Sequence, residues 1–174
     1  MATLILEDGT GVTDANSYAV AADFQTYYED REVNIDDFDT TQMEVGLIEA
    51  SKYLDLRWGQ YFKGSIAVET QGLEFPRSYL YDRYGNVVNG LPAPIVEAAI
   101  LYALEWLNDN LYPDTSTSSA KEVKKKKTVV GPITTEVEYV GSVSQGSALK
   151  FPLADKLVKQ YTTGSNGSAS VMRN

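Results

Sequence analysis

Apolar residues recur along this chain at helical spacing in three long stretches and one short one, and alternate at strand spacing in a single place. From about Ala19 to Arg31, Val20, Phe24, Tyr27 and Tyr28 fall on one side at intervals of three and four, which predicts a first helix. Asp14, Asn16 and Ser17 are its cap candidates, with Ser17 preferred. From Thr41 to about Trp58, Leu47, Ala50 and Leu54 form one stripe with Met43, Ile48 and Ser51 beside it, while Glu49, Lys52 and Asp55 face outward. Thr41 followed by Glu44 fits a capping box. Gly46 inside this helix costs up to about 1 kcal/mol relative to alanine, so it marks either close packing or a tolerated weakness. The third pattern is the clearest. Pro92 and Pro94 set its start, and Ile95 to Leu111 carries Ile95, Ala98, Ala99, Tyr102, Ala103, Trp106 and Leu107, widened by Leu101 and Leu104. A helix apolar over that much of its circumference belongs at the centre of a bundle.

Between these helices the pattern is irregular. Leu4-Ile5-Leu6 is too short to separate a strand from an apolar anchor, and turns follow at Glu7 to Gly11 and Asp14 to Ser17. Gln60 to Leu91 is a long connection holding Tyr61, Phe62, Phe75, Tyr79, Tyr81 and Tyr84. So many aromatics either pack across the helices or form a contact surface, and Phe62 and Phe75 read as core. Leu149, Phe151, Leu153, Leu157 and Tyr161 mark a short amphipathic helix starting near Pro152. The predicted fold is mainly α: a small helical bundle with a projecting β-hairpin arm and a short C-terminal helix. Its expected core includes Phe24, Tyr27, Leu47, Leu54, Phe62, Phe75, Leu101, Tyr102 and Trp106. The expected organisation is a helical body over 1–113, a linker and arm over 114–147, a C-terminal docking helix over 148–163 and a flexible tail over 164–174.

The strand-like alternation lies in the arm. Lys124, Lys125, Lys126 and Lys127 run into Thr128-Val-Val-Gly-Pro-Ile-Thr134, a hairpin signal with Gly131 and Pro132 at the turn. That register sets Thr128 opposite Thr135, Lys127 opposite Glu136 and Lys125 opposite Glu138. Each opposite-charge pair contributes roughly 0.2–1 kcal/mol. The other face sets Lys124, Lys126 and Val130 against Tyr139, Val137 and Ile133. A two-stranded hairpin is marginal alone in water. Three readings follow: an arm docking on a neighbouring subunit or partner, a hairpin folded on its own body, or a nucleic-acid contact. The first is preferred, because the lysine run meets no aromatic until Tyr139 and so lacks the stacking groups of a single-strand groove.

Charge sharpens the contrast. The chain of 174 residues has 24 acidic and 15 basic side chains, a net of −9. Residues 1–60 hold 13 acidic and 3 basic groups, whereas 121–127 holds five lysines and one glutamate. A body this acidic repels nucleic acid, so any such contact must be local. No cysteine and no histidine is present, which excludes thiol chemistry, histidine acid–base catalysis and histidine–cysteine zinc sites. Asp36, Asp37 and Asp39 match no calcium-loop spacing, and Gly9 and Gly11 are followed by no Gly-Lys-Ser/Thr of a phosphate loop. Glu74 and Arg77 read as an ion pair locking a loop. No catalytic residue, metal ligand or cofactor is expected, and the chain is read as not an enzyme. It has no apolar run long enough to span a bilayer and no signal-peptide pattern, so a cytosolic product is expected.

A set of short motifs in order carries a family resemblance: Glu7-Asp-Gly-Thr-Gly11 with Ala15-Asn-Ser-Tyr18, Ile48-Glu-Ala-Ser-Lys-Tyr-Leu-Asp55, Phe62-Lys-Gly64, Gly72-Leu-Glu-Phe-Pro-Arg77, Leu91-Pro-Ala-Pro-Ile-Val-Glu-Ala-Ala99, and Val130-Gly-Pro-Ile133 followed by Val137-Glu-Tyr139. Across about residues 7–161 the chain resembles the head-to-tail adaptor, or head completion, proteins of long-tailed bacteriophages. One branch of these carries the label DnaT-like single-stranded DNA-binding protein. The resemblance implies a homo-oligomeric ring, usually of twelve subunits, beneath the portal protein at the head–tail junction of a virion. There it would extend the DNA channel and receive a stopper or tail-completion protein, after synthesis in the host cytoplasm. By that analogy Lys124, Lys125, Lys126, Lys127, Val130, Ile133, Val137 and Tyr139 are arm contacts, and Phe151, Leu153, Leu157 and Tyr161 are portal-docking candidates. The four consecutive lysines depart from the usual pattern and raise a non-specific contact with genomic DNA in the channel. The alternative function is a single-stranded DNA-binding accessory protein using the lysine-rich hairpin.

Overall fold

Two long helices, each set by an apolar stripe, carry the fold in the computed structural model, which describes residues 3–82, 84–108, 111, 126–130, 133–137 and 151–163. Among these residues there are four α-helices: α1 (Ala21–Glu29), α2 (Thr40–Trp58), α3 (Ala93–Leu107) and α4 (Pro152–Lys159). Two short strands, β1 (Ser65–Ile66) and β2 (Arg77–Ser78), pair antiparallel, and β3 (Lys126–Val130) pairs antiparallel with β4 (Ile133–Val137). The chain divides into two units, Met1–Leu111 with Lys150–Asn174, and Tyr112–Leu149. The result is a mainly α bundle with a β-hairpin and a short C-terminal helix, as the periodicity predicts.

Helix starts differ from the sequence reading for local reasons. α1 begins at Ala21, and none of Asp14, Asn16 or Ser17 caps it; Val20 flanks it, and Asp23 Oδ2 accepts the Val20 N–H at 3.1 Å. Ser17 is buried instead, and its hydroxyl donates to the Ala19 carbonyl at 2.7 Å. The capping box of α2 is Asp39 with Gln42, two residues before the Thr41–Glu44 pair. Asp39 Oδ1 accepts the Gln42 N–H and Gln42 Oε1 accepts the Asp39 N–H, both at 2.8 Å. A carboxylate near the positive end of the helix dipole caps at least as well as a threonine hydroxyl, so the earlier register wins. α3 ends at Leu107 with Asn108 as its C-cap, four residues short of the predicted end.

The stripes meet as their spacing requires. Leu47, Ala50, Leu54, Ile95, Ala98, Ala99, Tyr102 and Ala103 are all inaccessible to solvent, and Met43 is buried beside them. Gly46 is buried where α2 crosses α3: a Cβ there would lie 3.3 Å from Leu107 Cγ and 3.4 Å from Trp106 Cε3, so this glycine serves close packing. Of the predicted core, Phe24, Leu47, Leu54, Phe62, Phe75 and Tyr102 are buried, while Tyr27, Leu101 and Trp106 are only partly buried at its edge. Tyr27 stays at the rim because its hydroxyl donates to Glu97 Oε1 at 2.9 Å and the Arg31 guanidinium lies 3.5 Å above its ring.

Phe75 gathers the irregular segments. Its ring meets Phe62 at 4.8 Å, Tyr161 at 6.1 Å and Tyr18 at 6.3 Å, each edge to face, so one side chain joins the N-terminal segment, the long connection and the C-terminal end. Gly72 is pressed against the backbone of Ala15, whose carbonyl oxygen a Cβ would strike. Arg77 holds the same connection together: its guanidinium donates to Glu74 Oε2 at 2.6 Å, to the Lys63 carbonyl at 2.8 Å and to the Gly64 carbonyl at 3.1 Å. The loop-lock reading of Glu74 and Arg77 is what the structure contains.

α4 is tied to the bundle through a buried carboxylate. Asp155 is wholly inaccessible, yet its Oδ2 accepts from Arg57 Nη2 at 2.7 Å and its Oδ1 from the Tyr102 hydroxyl at 2.6 Å. Tyr102 in turn accepts from the Trp58 indole N–H at 3.1 Å. Every buried side-chain N and O among the described residues has a partner. Removing one member of such a pair leaves an uncompensated buried charge. Asp155→Ala is therefore expected to lose about 3–5 kcal/mol of unfolding free energy in urea titrations, and Tyr102→Phe about 1–3 kcal/mol. Gly72→Ala is expected to be destabilised strongly as well, by backbone collision rather than by lost charge.

Candidate nucleic-acid interface

The hairpin forms in the register that placing Gly131 and Pro132 at the turn predicts. Lys126 stands opposite Val137, Lys127 opposite Glu136, Thr128 opposite Thr135, Val129 opposite Thr134 and Val130 opposite Ile133. Lys127 and Glu136 therefore share one cross-strand position, and Lys126 shares another with Val137. Lys124, Lys125 and Tyr139, together with Glu138, lie outside the described residues. No third strand joins β3 and β4 among the described residues.

Charge separates cleanly between the two units. Residues 112–149 carry five lysines and four acidic groups, whereas the remainder of the chain carries ten basic and twenty acidic groups. Positive charge is in excess only in the hairpin unit. The arginines of the body that the structure describes are engaged: Arg57 with Asp155, Arg77 with Glu74 and Arg31 with Glu97.

The four C-terminal docking candidates have different surroundings. Phe151 and Tyr161 are buried in the body, and the Phe151 ring meets Tyr102 at 5.7 Å and Tyr53 at 6.2 Å. Leu157 is partly buried against the core, while Leu153 is 59% exposed beside a small cleft lined by Tyr28, Leu101, Leu104 and Pro152. The aromatics of the long connection also divide. Phe62 and Phe75 are core, whereas Tyr61, Tyr79, Tyr81 and Tyr84 are exposed. Sequence reading registered their excess; only the fold separates the two groups.

Three polar groups that periodicity did not single out organise the body. Glu7 is buried, and its carboxylate accepts the backbone N–H groups of Gly9, Gly11 and Val12 at 2.8–2.9 Å. Asp155, held between Arg57 and Tyr102, is the second. Asp55, read from its spacing as outward-facing, accepts the Tyr18 hydroxyl at 2.6 Å and the Glu74 N–H at 3.0 Å. A short polar residue beside an apolar stripe was the available signal for Asp55. None existed for its partner Tyr18, which lies thirty-seven positions away. Among the described residues no group of three or more acidic side chains is arranged to hold a metal ion, and no helix is long and apolar enough to cross a membrane.

Burial pushes the Asp55 carboxyl up to about 7, against the opposing pull of the Tyr18 and Glu74 hydrogen bonds, with the Glu74 charge adding to the rise and Arg77 countering it. The folded protein then holds a proton that the unfolded chain, with an ordinary carboxyl near 3.8, releases. Stability from this group is full below about pH 4 and is lost as pH rises through about 7. With no histidine or cysteine, no other side chain has an ordinary pKa in that range. Urea unfolding between about pH 5.5 and 8.5 is therefore expected to show stability falling with pH in the wild type, and a flatter profile in Asp55→Asn.

No curated protein and no solved structure matches the chain. One family does, over residues 2–174, and its description is "Putative DnaT-like ssDNA binding protein". That description names binding and no reaction, in keeping with a chain that offers no catalytic constellation in its sequence. With the match running over essentially its whole length, the chain belongs to this DnaT-like single-stranded-DNA-binding family.

Proposed function

We propose that this protein is a non-catalytic accessory protein that binds single-stranded DNA through the lysine run Lys124–Lys127 of its hairpin unit. The observation that carries the reading is the separation of charge: positive charge is in excess only there, in a chain whose family is described by single-strand binding. Lysines without interleaved aromatics bind phosphates as point charges, so this contact is sequence-independent and weakens with salt. The excess of acidic groups over the rest of the chain gives phosphates no second electrostatic anchor. Four phosphate contacts at about −0.7 each give a log-affinity against log-salt slope of about −3. Replacing Lys124, Lys125, Lys126 and Lys127 together by glutamine is expected to bring that slope close to zero and to remove most of the affinity for oligo(dT), measured by fluorescence anisotropy. Unchanged affinity and slope in that variant would sink the reading.

A second reading follows from a different observation. A two-stranded hairpin with five-residue strands is marginal on its own, and a neighbouring subunit with the same acidic body would supply both the missing contacts and the opposite charge. This is the head-to-tail adaptor reading: a ring of copies, with twelve as the expected number, bound beneath a portal at the head–tail junction. The hairpins would dock between subunits, the channel would pass genomic DNA, and a stopper or tail-completion protein would bind below. The exposed Leu153 suits a portal contact on that reading, while the buried Phe151 and Tyr161 hold α4 in its own body. Native mass spectrometry with and without a portal ring tests it. Assembly into a ring that forms equally well with the four lysines neutralised would leave the hairpin charge to DNA. A protein that stays monomeric and never joins the portal would remove the adaptor reading.

A further inference from the structure

The body carries a surface that neither the lysine run nor the helix packing accounts for. An open groove of about 390 Å³ lies beside β2, lined among others by Pro76, Arg77, Tyr79, Tyr81, Val87 and Asn89. Tyr79 is 79% exposed and Tyr81 47%, and neither hydroxyl has a hydrogen-bond partner among the described residues. Between them Leu80 is wholly buried and accepts the Val88 N–H at 2.9 Å, so the backbone presenting both rings is fixed from below. The pairing of Tyr81 with Val87 is closed by Asp82, whose Oδ1 accepts the Tyr84 and Asn86 N–H groups at 2.8 Å.

Two features distinguish this groove from an ordinary exposed patch. Tyr79 has φ 58°, a left-handed conformation that is uncommon for a bulky side chain and is favoured by glycine. An exposed tyrosine in that conformation is a sparsely populated state, and strained residues of this kind collect at ligand-contacting positions. The groove is also free of acidic side chains in a body with twice as many acidic as basic groups. Its one charge, Arg77, is neutralised by Glu74 at 2.6 Å. Exposed aromatic side chains on a backbone fixed from below suit a planar, uncharged group such as an unpaired base.

We infer that Tyr79 and Tyr81 form a base-stacking platform for single-stranded nucleic acid. The inference rests on the single-strand-binding reading and adds to it the source of strand selectivity. Lysines grip phosphates of either form, whereas base faces are open to a tyrosine only when the strand is unpaired. The two contributions separate in one experiment on the full-length protein, using labelled oligo(dT) and its duplex with oligo(dA) over a salt series. The Tyr79→Ala, Tyr81→Ala double variant is expected to bind oligo(dT) about tenfold more weakly or worse, with the salt slope and duplex affinity unchanged. Tyr79→Phe, which keeps the ring, is expected to bind as the wild type does. Tyr79→Gly is expected to lose binding while its melting temperature holds or rises, a combination that a purely structural tyrosine would not give. Tyrosine variants that bind oligo(dT) like the wild type, beside a lysine variant that does not, overturn the platform and leave the single-strand reading standing. A wild type that leaves oligo(dT) free at low salt overturns both. Loss of oligo(dT) and duplex binding together in the tyrosine variants also overturns the platform, because stacking would then not be what distinguishes the strands.

Discussion

The Asp155 carboxylate is the contact on which the shape of this protein depends. A charge with no exposure to water is tolerated only when its lone pairs are occupied, and here Arg57 from α2 and Tyr102 from α3 occupy them together. The eight residues of α4 are too few to hold a helix by propensity. They hold because their one buried charge has a single low-energy location, between the two central helices. Phe151, Ala154, Val158 and Tyr161 then complete a core begun by segments more than forty residues earlier. The hairpin unit between α3 and α4 can therefore differ in composition and charge without affecting how the bundle closes.

The same division underlies both proposed functions. The body concentrates negative charge and engages its described arginines internally, so its net field opposes phosphates. The hairpin unit holds the positive excess in a segment too small to bury a core of its own. On either proposed reading such a segment acts by contact, with phosphates or with an oppositely charged neighbour. The two proposed functions differ only in which of these it meets. The uncharged aromatic groove adds a third kind of surface, one that attracts by π-face rather than by charge.

Asp55 illustrates how a helix face can mislead. By position it sits beside the solvent side of α2, yet Tyr18 and the Gly72–Arg77 segment fold over it. Burial then raises its proton affinity towards neutrality, a range that no histidine covers in this chain. Helical periodicity describes which side of a helix is apolar; it does not describe what a later loop lays across the other side.

Much of the architecture was present in the chain itself. The stripes Leu47–Ala50–Leu54 and Ile95–Ala98–Tyr102 determined α2, α3 and their burial, because a 3.6-residue period leaves an apolar stripe few ways to hide. The position of Gly131-Pro132 between two strand-like runs determined the hairpin register, because the turn fixes which residues stand opposite one another. The charge contrast between hairpin and body is likewise a property of the sequence alone. What only tertiary structure decided depends on pairs far apart in the chain. Asp155 with Arg57, Asp55 with Tyr18 and Gly72 with Ala15 have no spacing signature, since nothing local relates their positions. The split of the aromatics into a buried Phe75 and an exposed Tyr79 and Tyr81 was decided there too, because neighbours along an irregular loop reach core or solvent according to what packs beneath them.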